Sequence, residues 1–239
     1  MAASGGFLAA SLLWPLAVRF NFLGTANLLS QLLPGGTITT RVEEKTVLVP
    51  LANYLTTAID KVKANVVALQ SFSQGQLLRS GSGLILTRDG LIVSTNSVLP
   101  AEAQIFQTLQ DGKIYRGKVV WRDYRNNLAI LSVPANDLTV SRLNFDQPAL
   151  AEHLLLFARL VELAKDRPLL AEGLVTDQAP DQSSFGLSVA YDRRFYGAAI
   201  GNAEGEILGI LDFANGQAKV ISAATINNAL AAYLQKLTK

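Results

Sequence analysis

From residue 65 to residue 133 the sequence alternates short apolar segments with turn residues and shows no helical periodicity between them. Gly90 and the pair Asp111-Gly112 are typical of hairpin turns. Six strands joined by tight turns predict a closed antiparallel barrel. The predicted strands cover residues 65–71, 83–86, 91–95, 103–109, 114–122 and 128–133.

The same pattern begins again after Pro134. Turns are predicted at residues 202–205 and at Asn215-Gly216, and residues 223–237 place apolar side chains at helical spacing. The sequence thus predicts an all-β fold, a double antiparallel β-barrel with a C-terminal helix. We assign the first barrel to residues 65–137, and the second barrel with its helix to residues 138–239. The second set of predicted strands covers residues 154–158, 170–177, 185–190, 197–201, 206–213 and 219–222.

The first 33 residues differ from the rest, because Arg19 is the only charged side chain between Ala2 and Leu33. A helix over residues 2–23 is long enough to span a bilayer if Arg19 extends to the interface. We predict an N-terminal membrane-type helix at residues 1–33 that anchors the domain outside the cytoplasm. A cleaved signal segment, which would leave a secreted protein, and an apolar helix packed on the domain are the alternatives. Residues 34–64 are predicted to be a linker and a short amphipathic helix.

Composition excludes several classes of function. The net charge is +2 and the basic residues are scattered, so the chain lacks the basic stripe of a nucleic-acid-binding protein. It has no cysteine and one histidine, His153, and its acids do not have metal-loop spacing. No phosphate-binding glycine loop is present. We therefore expect neither a metal nor another cofactor.

Four short motifs resemble the HtrA/Deg branch of the trypsin-like serine proteases. In that branch a serine-glycine pair opens a strand, an Asp-Gly turn follows, and the next strand delivers Thr-Asn-His-Val. An Asp-Leu-Ala-x-Leu motif then supplies the catalytic acid. The resemblance covers about residues 52–237 and implies a trypsin-like double barrel. The matching segments are Ser80-Gly81-Ser82-Gly83, Asp89-Gly90-Leu91-Ile92-Val93-Ser94-Thr95-Asn96-Ser97-Val98, Asp111-Gly112 and Asn126-Asn127-Leu128-Ala129-Ile130-Leu131.

When the three catalytic positions of the family are carried over onto this sequence, none of them holds the residue that catalysis requires. The base position falls on Ser97 and the acid position on Asn127. Counting back from the strand Gly205-Glu206-Ile207-Leu208-Gly209-Ile210, the nucleophile position falls on Tyr196, which we interpret as a plug in the former pocket. A serine protease needs a nucleophile, a base and an acid together. We therefore expect no catalytic residue, and no group between the barrels that accepts a proton from an attacking hydroxyl.

Two arginines, Arg193 and Arg194, stand where the resemblance implies the glycine-containing loop that binds the oxyanion. They could contact the carboxylate of a peptide, or form a solvated turn with exposed ion pairs. The sequence favours the second interpretation.

The resulting hypothesis is a catalytically inactive, membrane-tethered, HtrA-like pseudoprotease that binds peptide or protein partners in the cleft between the barrels. One alternative is a divergent serine endopeptidase with relocated residues, for which Ser183, Ser184, Ser188 and Lys165 are the candidates. Another is a purely structural subunit of a membrane complex. The sequence does not predict an oligomeric state.

Overall fold

The computed structural model describes residues 51–110, 112–162 and 165–238. The predicted membrane-type helix at residues 1–33, and the linker up to residue 50, lie outside the described residues. Within the described ranges, no helix combines the length and the apolar character needed to cross a membrane.

The described residues form two closed six-stranded barrels, flanked by two helices. Helix α1 (Leu51–Lys63) precedes the first barrel, and helix α2 (Ala223–Leu237) follows the second. This architecture confirms the predicted double antiparallel barrel and C-terminal helix. Strands of the first barrel are β1 (Val66–Ser73), β2 (Gln76–Ile85), β3 (Leu91–Thr95), β4 (Ile105–Gln110), β5 (Lys113–Asp123) and β6 (Leu128–Ser132). Strands of the second barrel are β7 (His153–Glu162), β8 (Lys165–Gln178), β9 (Ser184–Leu187), β10 (Ala199–Gly201), β11 (Ile207–Ala214) and β12 (Gln217–Ser222).

Each barrel closes through antiparallel pairing. In the first barrel the strand order is β1-β2-β3-β6-β5-β4, and β1 also pairs with β4. The second barrel follows the order β10-β11-β12-β9-β8-β7 and closes through β10 and β7. A short 3-10 turn, Arg193–Phe195, lies between β9 and β10.

The two barrels share a core. Besides one apolar cluster inside each barrel, a third cluster combines side chains of both barrels and both helices. Burial of this apolar area is the main force that holds the barrels together. Members of the shared cluster include Val62 of α1, Val93 and Leu128 of the first barrel, Phe157 and Ile210 of the second barrel, and Ile226 of α2.

Hydrogen bonds at one serine also join the barrels. Ser82 Oγ of β2 donates to the Arg159 carbonyl of β7 at 3.1 Å and accepts from the Arg159 amide at 2.9 Å. The Ser82 amide donates to the Tyr196 carbonyl at 2.9 Å. The neighbouring Gly81 permits this approach, since a Cβ there would lie 2.7 Å from the Tyr196 carbonyl oxygen. The serine-glycine motif therefore sets the spacing of the two barrels.

Candidate functional site

The loop that follows β3 fixes the position of Ser97. Arg122 of β5 reaches into this loop and donates to Asn96 Oδ1 at 2.7 Å, to the Leu99 carbonyl and to the Pro100 carbonyl. The Asn96 side chain in turn donates to the Leu128 carbonyl at 3.1 Å. A partly buried guanidinium that donates to several acceptors holds a loop in one conformation.

Asn127, in the turn between β5 and β6, lies beside Ser97. Its backbone has a φ of +54°, a left-handed conformation that asparagine tolerates better than most residues. The Asn127 Nδ2 group donates to Ser97 Oγ at 3.1 Å and to Asp212 Oδ2 at 2.6 Å. The structure thus brings the predicted base position and the predicted acid position into direct contact.

Asp212 of β11 completes this polar cluster. Its side chain is buried, with 7% of the residue exposed, and Oδ1 accepts a hydrogen bond from Ser97 Oγ at 3.2 Å. Burial raises the pKa of the Asp212 carboxyl, and the hydrogen bonds from Asn127 and Ser97 partly oppose that rise. We call Ser97, Asn127 and Asp212 the polar triad.

Asp212 is the functional residue that sequence reasoning missed. The sequence predicted no proton acceptor between the barrels and did not consider the Asp212 carboxylate, which accepts a hydrogen bond from the Ser97 hydroxyl there. One signal was available: Asp212 is the only charged residue in the buried strand β11. A buried carboxylate requires hydrogen-bond partners, but the sequence does not show which residues supply them.

Tyr196 fills the space next to the polar triad. Its ring packs edge-to-face with Phe213 at a centroid distance of 5.3 Å and with Tyr191 at 6.3 Å. Tyr196 also packs against the apolar clusters of both barrels. Burial, followed by hydrogen bonding with Tyr191, raises the pKa of Tyr196 to about 12. The phenol is uncharged at neutral pH, and its role as a plug stays a prediction.

The turn that ends at Tyr196 binds two of its backbone amides to its own acceptors. The Arg194 amide donates to Asp192 Oδ1 at 2.9 Å, and the Tyr196 amide donates to the Arg193 carbonyl at 3.4 Å. Stabilising an oxyanion requires such amides to point at the developing charge. Here the protein's own acceptors already occupy them.

The two arginines of this turn differ in their contacts. Arg194 binds Asp192 through Nε and Nη2, at 2.9 and 2.6 Å, and this pairing lowers the pKa of Asp192. Arg193 is exposed, and its Nε donates to Tyr191 Oη at 3.1 Å. Hydrogen bonding from Arg193 is the largest of the effects that lower the pKa of Tyr191. Arg194 thus forms the exposed ion pair that the sequence favours, whereas Arg193 does not pair with a carboxylate among the described residues.

The structure does not assemble the alternative catalytic residues into one site. Ser183 Oγ donates to Asp181 Oδ1 at 2.6 Å, and Ser188 Oγ accepts from the Leu174 amide at 2.8 Å. Lys165 begins β8, nine residues before Leu174. At about 3.3 Å per residue that separation is roughly 30 Å along the strand. Ser184 is buried, and His153 lies exposed at the start of β7, outside the polar triad.

Two open depressions flank the polar triad. One, of about 540 Å³, is lined by Ser97, Tyr196 and Arg193, and the other, of about 300 Å³, is lined by Asn127, Asp212 and Phe213. The end of β11 lies beside the second depression. One edge of this segment pairs with β12 through Asp212, Phe213 and Ala214, whereas on the other edge the pairing with β10 ends at Ile210. The other edge of this segment therefore has no strand partner among the described residues. Those residues also contain no group of three acidic or histidine side chains placed to bind a metal.

Comparison with known proteins gives one family match. The profile of the family described as the trypsin-like peptidase domain matches residues 81–210, which is more than half of the 239 residues. The serine protease HTR4 of Rattus norvegicus is 36% identical over 95 residues, which cover 37% of this chain and 20% of that protein. A probable periplasmic serine endoprotease, DegP-like, of Marinomonas sp. is 36% identical over 70 residues, which cover 29% of this chain and 15% of that protein. The chain thus spans a fifth or less of the length of these relatives.

A solved structure has the same fold. The crystal structure of the serine endoprotease from Yersinia pestis superposes with a TM-score of 0.65 at 20% sequence identity. The superposition covers 76% of this chain and 66% of that chain. The likeness extends to both barrels but, at this identity, supports the fold alone.

Proposed function

The chain belongs to the family of trypsin-like peptidase domains, in its HtrA-like branch, and we propose that it is a member without peptidase activity that binds peptides between its barrels. The observation that carries the proposal is that the amides of Arg194 and Tyr196 already donate to acceptors of the same turn. Together with serine, asparagine and tyrosine at the three catalytic positions, these amides leave neither an activated nucleophile nor a site for the oxyanion.

The binding role rests on the edge of β11 at residues 212–214, which pairs with no strand among the described residues, although Asp212 and Phe213 are buried there. Extended peptides bind such edges through main-chain hydrogen bonds, while pockets on either side select the side chains. The depressions beside Asp212 and Tyr196 are in the right place to act as such pockets. A peptide array probed with residues 50–239 should retain a subset of extended sequences. An array that retains nothing would instead favour a purely structural subunit.

One contact favours a second candidate, a hydrolase that uses Ser97. The hydrogen bond from Ser97 Oγ to the buried Asp212 carboxylate pairs a hydroxyl with a proton acceptor whose pKa is raised. A carboxylate is a weak base for an alcohol, and Ser97 Oγ also accepts from Asn127, which opposes its attack on a substrate.

Incubation with unfolded casein and with a fluorophosphonate probe separates the two candidates. We expect no cleavage and no covalent labelling of the wild-type protein. Labelling that disappears in Ser97→Ala but persists in Ser183→Ala would establish Ser97 as a nucleophile and reject the inactive assignment. Labelling lost in Ser183→Ala would instead support a relocated endopeptidase.

We further propose that the domain lies outside the cytoplasm, tethered by the N-terminal apolar segment. Supporting this are the composition of residues 1–33 and the similarity to a relative described as periplasmic. Alkaline carbonate extraction of membranes should leave the full-length protein in the pellet. Its release at full length would reject an integral anchor, and release of a shortened form would support a cleaved signal segment.

A further inference from the structure

The depression next to Tyr196 has a basic lining. The first barrel contributes Arg79, Ser80 and Ser97, and the second contributes Leu160, Tyr191 and Arg193. We call this depression the cationic groove. Arg194 also lies in its wall, but its guanidinium binds Asp192.

Two guanidinium groups in the cationic groove have no carboxylate partner among the described residues. Arg79 Nη1 donates to the Leu78 carbonyl at 2.8 Å, and Arg193 Nε donates to Tyr191 Oη at 3.1 Å. Both contacts are to neutral acceptors and leave other N–H groups of each guanidinium available. No residue lining the groove carries a carboxylate. Guanidinium groups bind carboxylates strongly because they can donate two parallel hydrogen bonds.

The direction of an added strand decides which end of a peptide reaches this groove. Every pair of named strands in both barrels is antiparallel. A peptide that pairs antiparallel with the unpaired edge of β11 runs from Ala214 towards Asp212. Asp212 contacts Ser97, which lines the cationic groove, so the C-terminal end of the peptide points into the groove.

We propose that the cationic groove binds the C-terminal carboxylate of a peptide through Arg79 and Arg193. This inference rests on the proposed peptide-binding function and adds the chemical group that is recognised. Tyr196 and the turn before it form the wall at which the peptide ends. The ligand is therefore a protein or peptide with a free, extended C-terminus.

The probe is a pool of random decapeptides, synthesised once with free C-terminal carboxylates and once as C-terminal amides. A third pool consists of amides with glutamate at the last position. Retention on the immobilised full-length protein is measured by mass spectrometry. We expect the free-acid pool to be retained about tenfold more than either amide pool, the effect of losing a charge-assisted contact. The double variant Arg79→Gln/Arg193→Gln should retain all three pools equally.

The matched control is Arg116→Gln, at an exposed position of β5 that does not line the groove. It should keep the tenfold preference for the free acid. Equal retention of all pools by the wild-type protein would reject the carboxylate site but leave strand addition to β11 intact. Equal retention of the free-acid pool and the glutamate amide pool would assign recognition to any carboxylate and reject a C-terminal site. Retention of no pool would reject both this inference and the proposed function.

Discussion

The carboxylate of Asp212 is buried, and both of its oxygens accept hydrogen bonds from neutral groups, Ser97 and Asn127. Since burial is the largest effect on this carboxyl, its pKa lies above the ordinary value of 3.8. The folded protein therefore binds this proton more tightly than the unfolded chain does, and stability depends on pH through this residue.

We predict that Asp212→Asn changes the pH dependence of stability. In the wild-type protein, Asp212 favours folding at low pH, and this contribution is lost as the pH rises from about 4 through the raised pKa of the folded state. The variant has no carboxyl at this position, so it does not lose this stabilisation as the pH rises. Its free energy of unfolding should therefore increase relative to that of the wild type between pH 4 and pH 7. Urea denaturation at intervals of one pH unit measures the difference. Asp89→Asn, at an exposed position, controls for removing one charge. Parallel profiles for wild type and Asp212→Asn would contradict the prediction.

At the scale of the secondary-structure elements, β2 and the segment after the 3-10 turn approach each other closely. Gly197 has a φ of +72°, and a Cβ there would lie 2.0 Å from the Ser82 carbonyl oxygen. Two separate effects therefore require glycine at this position: its backbone conformation and the absence of space for a side chain. Gly75, in the turn between β1 and β2, has a similar φ of +77° but open space around it.

The pair Gly197→Ala and Gly75→Ala separates these effects. Gly75→Ala should lower the free energy of unfolding by about 1–2 kcal/mol, the cost of a left-handed conformation for alanine. Gly197→Ala should cost at least about 1–3 kcal/mol more, because the methyl group forces the barrels apart. Equilibrium unfolding in urea gives both values. Equal losses in the two variants would mean that the contact with Ser82 adds nothing.

The sequence predicted the presence of the strands better than the residues at which they begin and end. The turn at Gly90 and the strand Leu91–Thr95 agree with the structure. Strand β2, however, begins at Gln76, seven residues before the predicted start at residue 83. The missed turn consists of Gln74 and Gly75, with φ angles of +50° and +77°; Gly75 signalled a turn, but glutamine is not among the residues that usually precede glycine in a two-residue hairpin turn.

The same limit applies to the site. The aligned motifs located Ser97 and Asn127, which the structure joins by a hydrogen bond of 3.1 Å. Asp212 is 85 residues beyond Asn127 and belongs to the other barrel, so no local spacing connects them. Pairing across the barrels depends on tertiary packing, which motif matching does not reveal.

At the scale of the whole molecule, the barrels are not independent folding units. The shared apolar cluster contains residues of both barrels and of both helices, and Ser82 adds hydrogen bonds across the same boundary. A boundary that is part of the core couples the unfolding of its two sides. We therefore expect a single unfolding transition for the described residues.

Phe157→Ala tests this coupling, since Phe157 is a buried second-barrel residue of the shared cluster. The substitution should lower the free energy of unfolding by about 3–5 kcal/mol. In a Trp14→Phe background, Trp121 of β5 is the remaining tryptophan, and because Lys236 Nζ of α2 lies 5.8 Å from the centroid of its ring, its fluorescence reports on the first barrel and on the contact of that barrel with α2. Its fluorescence midpoint in urea should shift together with the far-ultraviolet circular dichroism.

Leu170→Ala provides the control, because Leu170 is opposite Phe157 in the strand register but is 48% exposed. It should leave both midpoints nearly unchanged. A Trp121 midpoint that does not move in Phe157→Ala would show that the barrels unfold separately.

The hydrogen bond from the Arg194 amide to Asp192 limits what one substitution at position 196 can do. Tyr196→Ser would place a hydroxyl beside amides that the protein's own acceptors occupy, with no imidazole among the groups described around it. We therefore expect Tyr196→Ser alone to confer no cleavage of unfolded casein, because position 97 and the Asp192 turn would have to change with it.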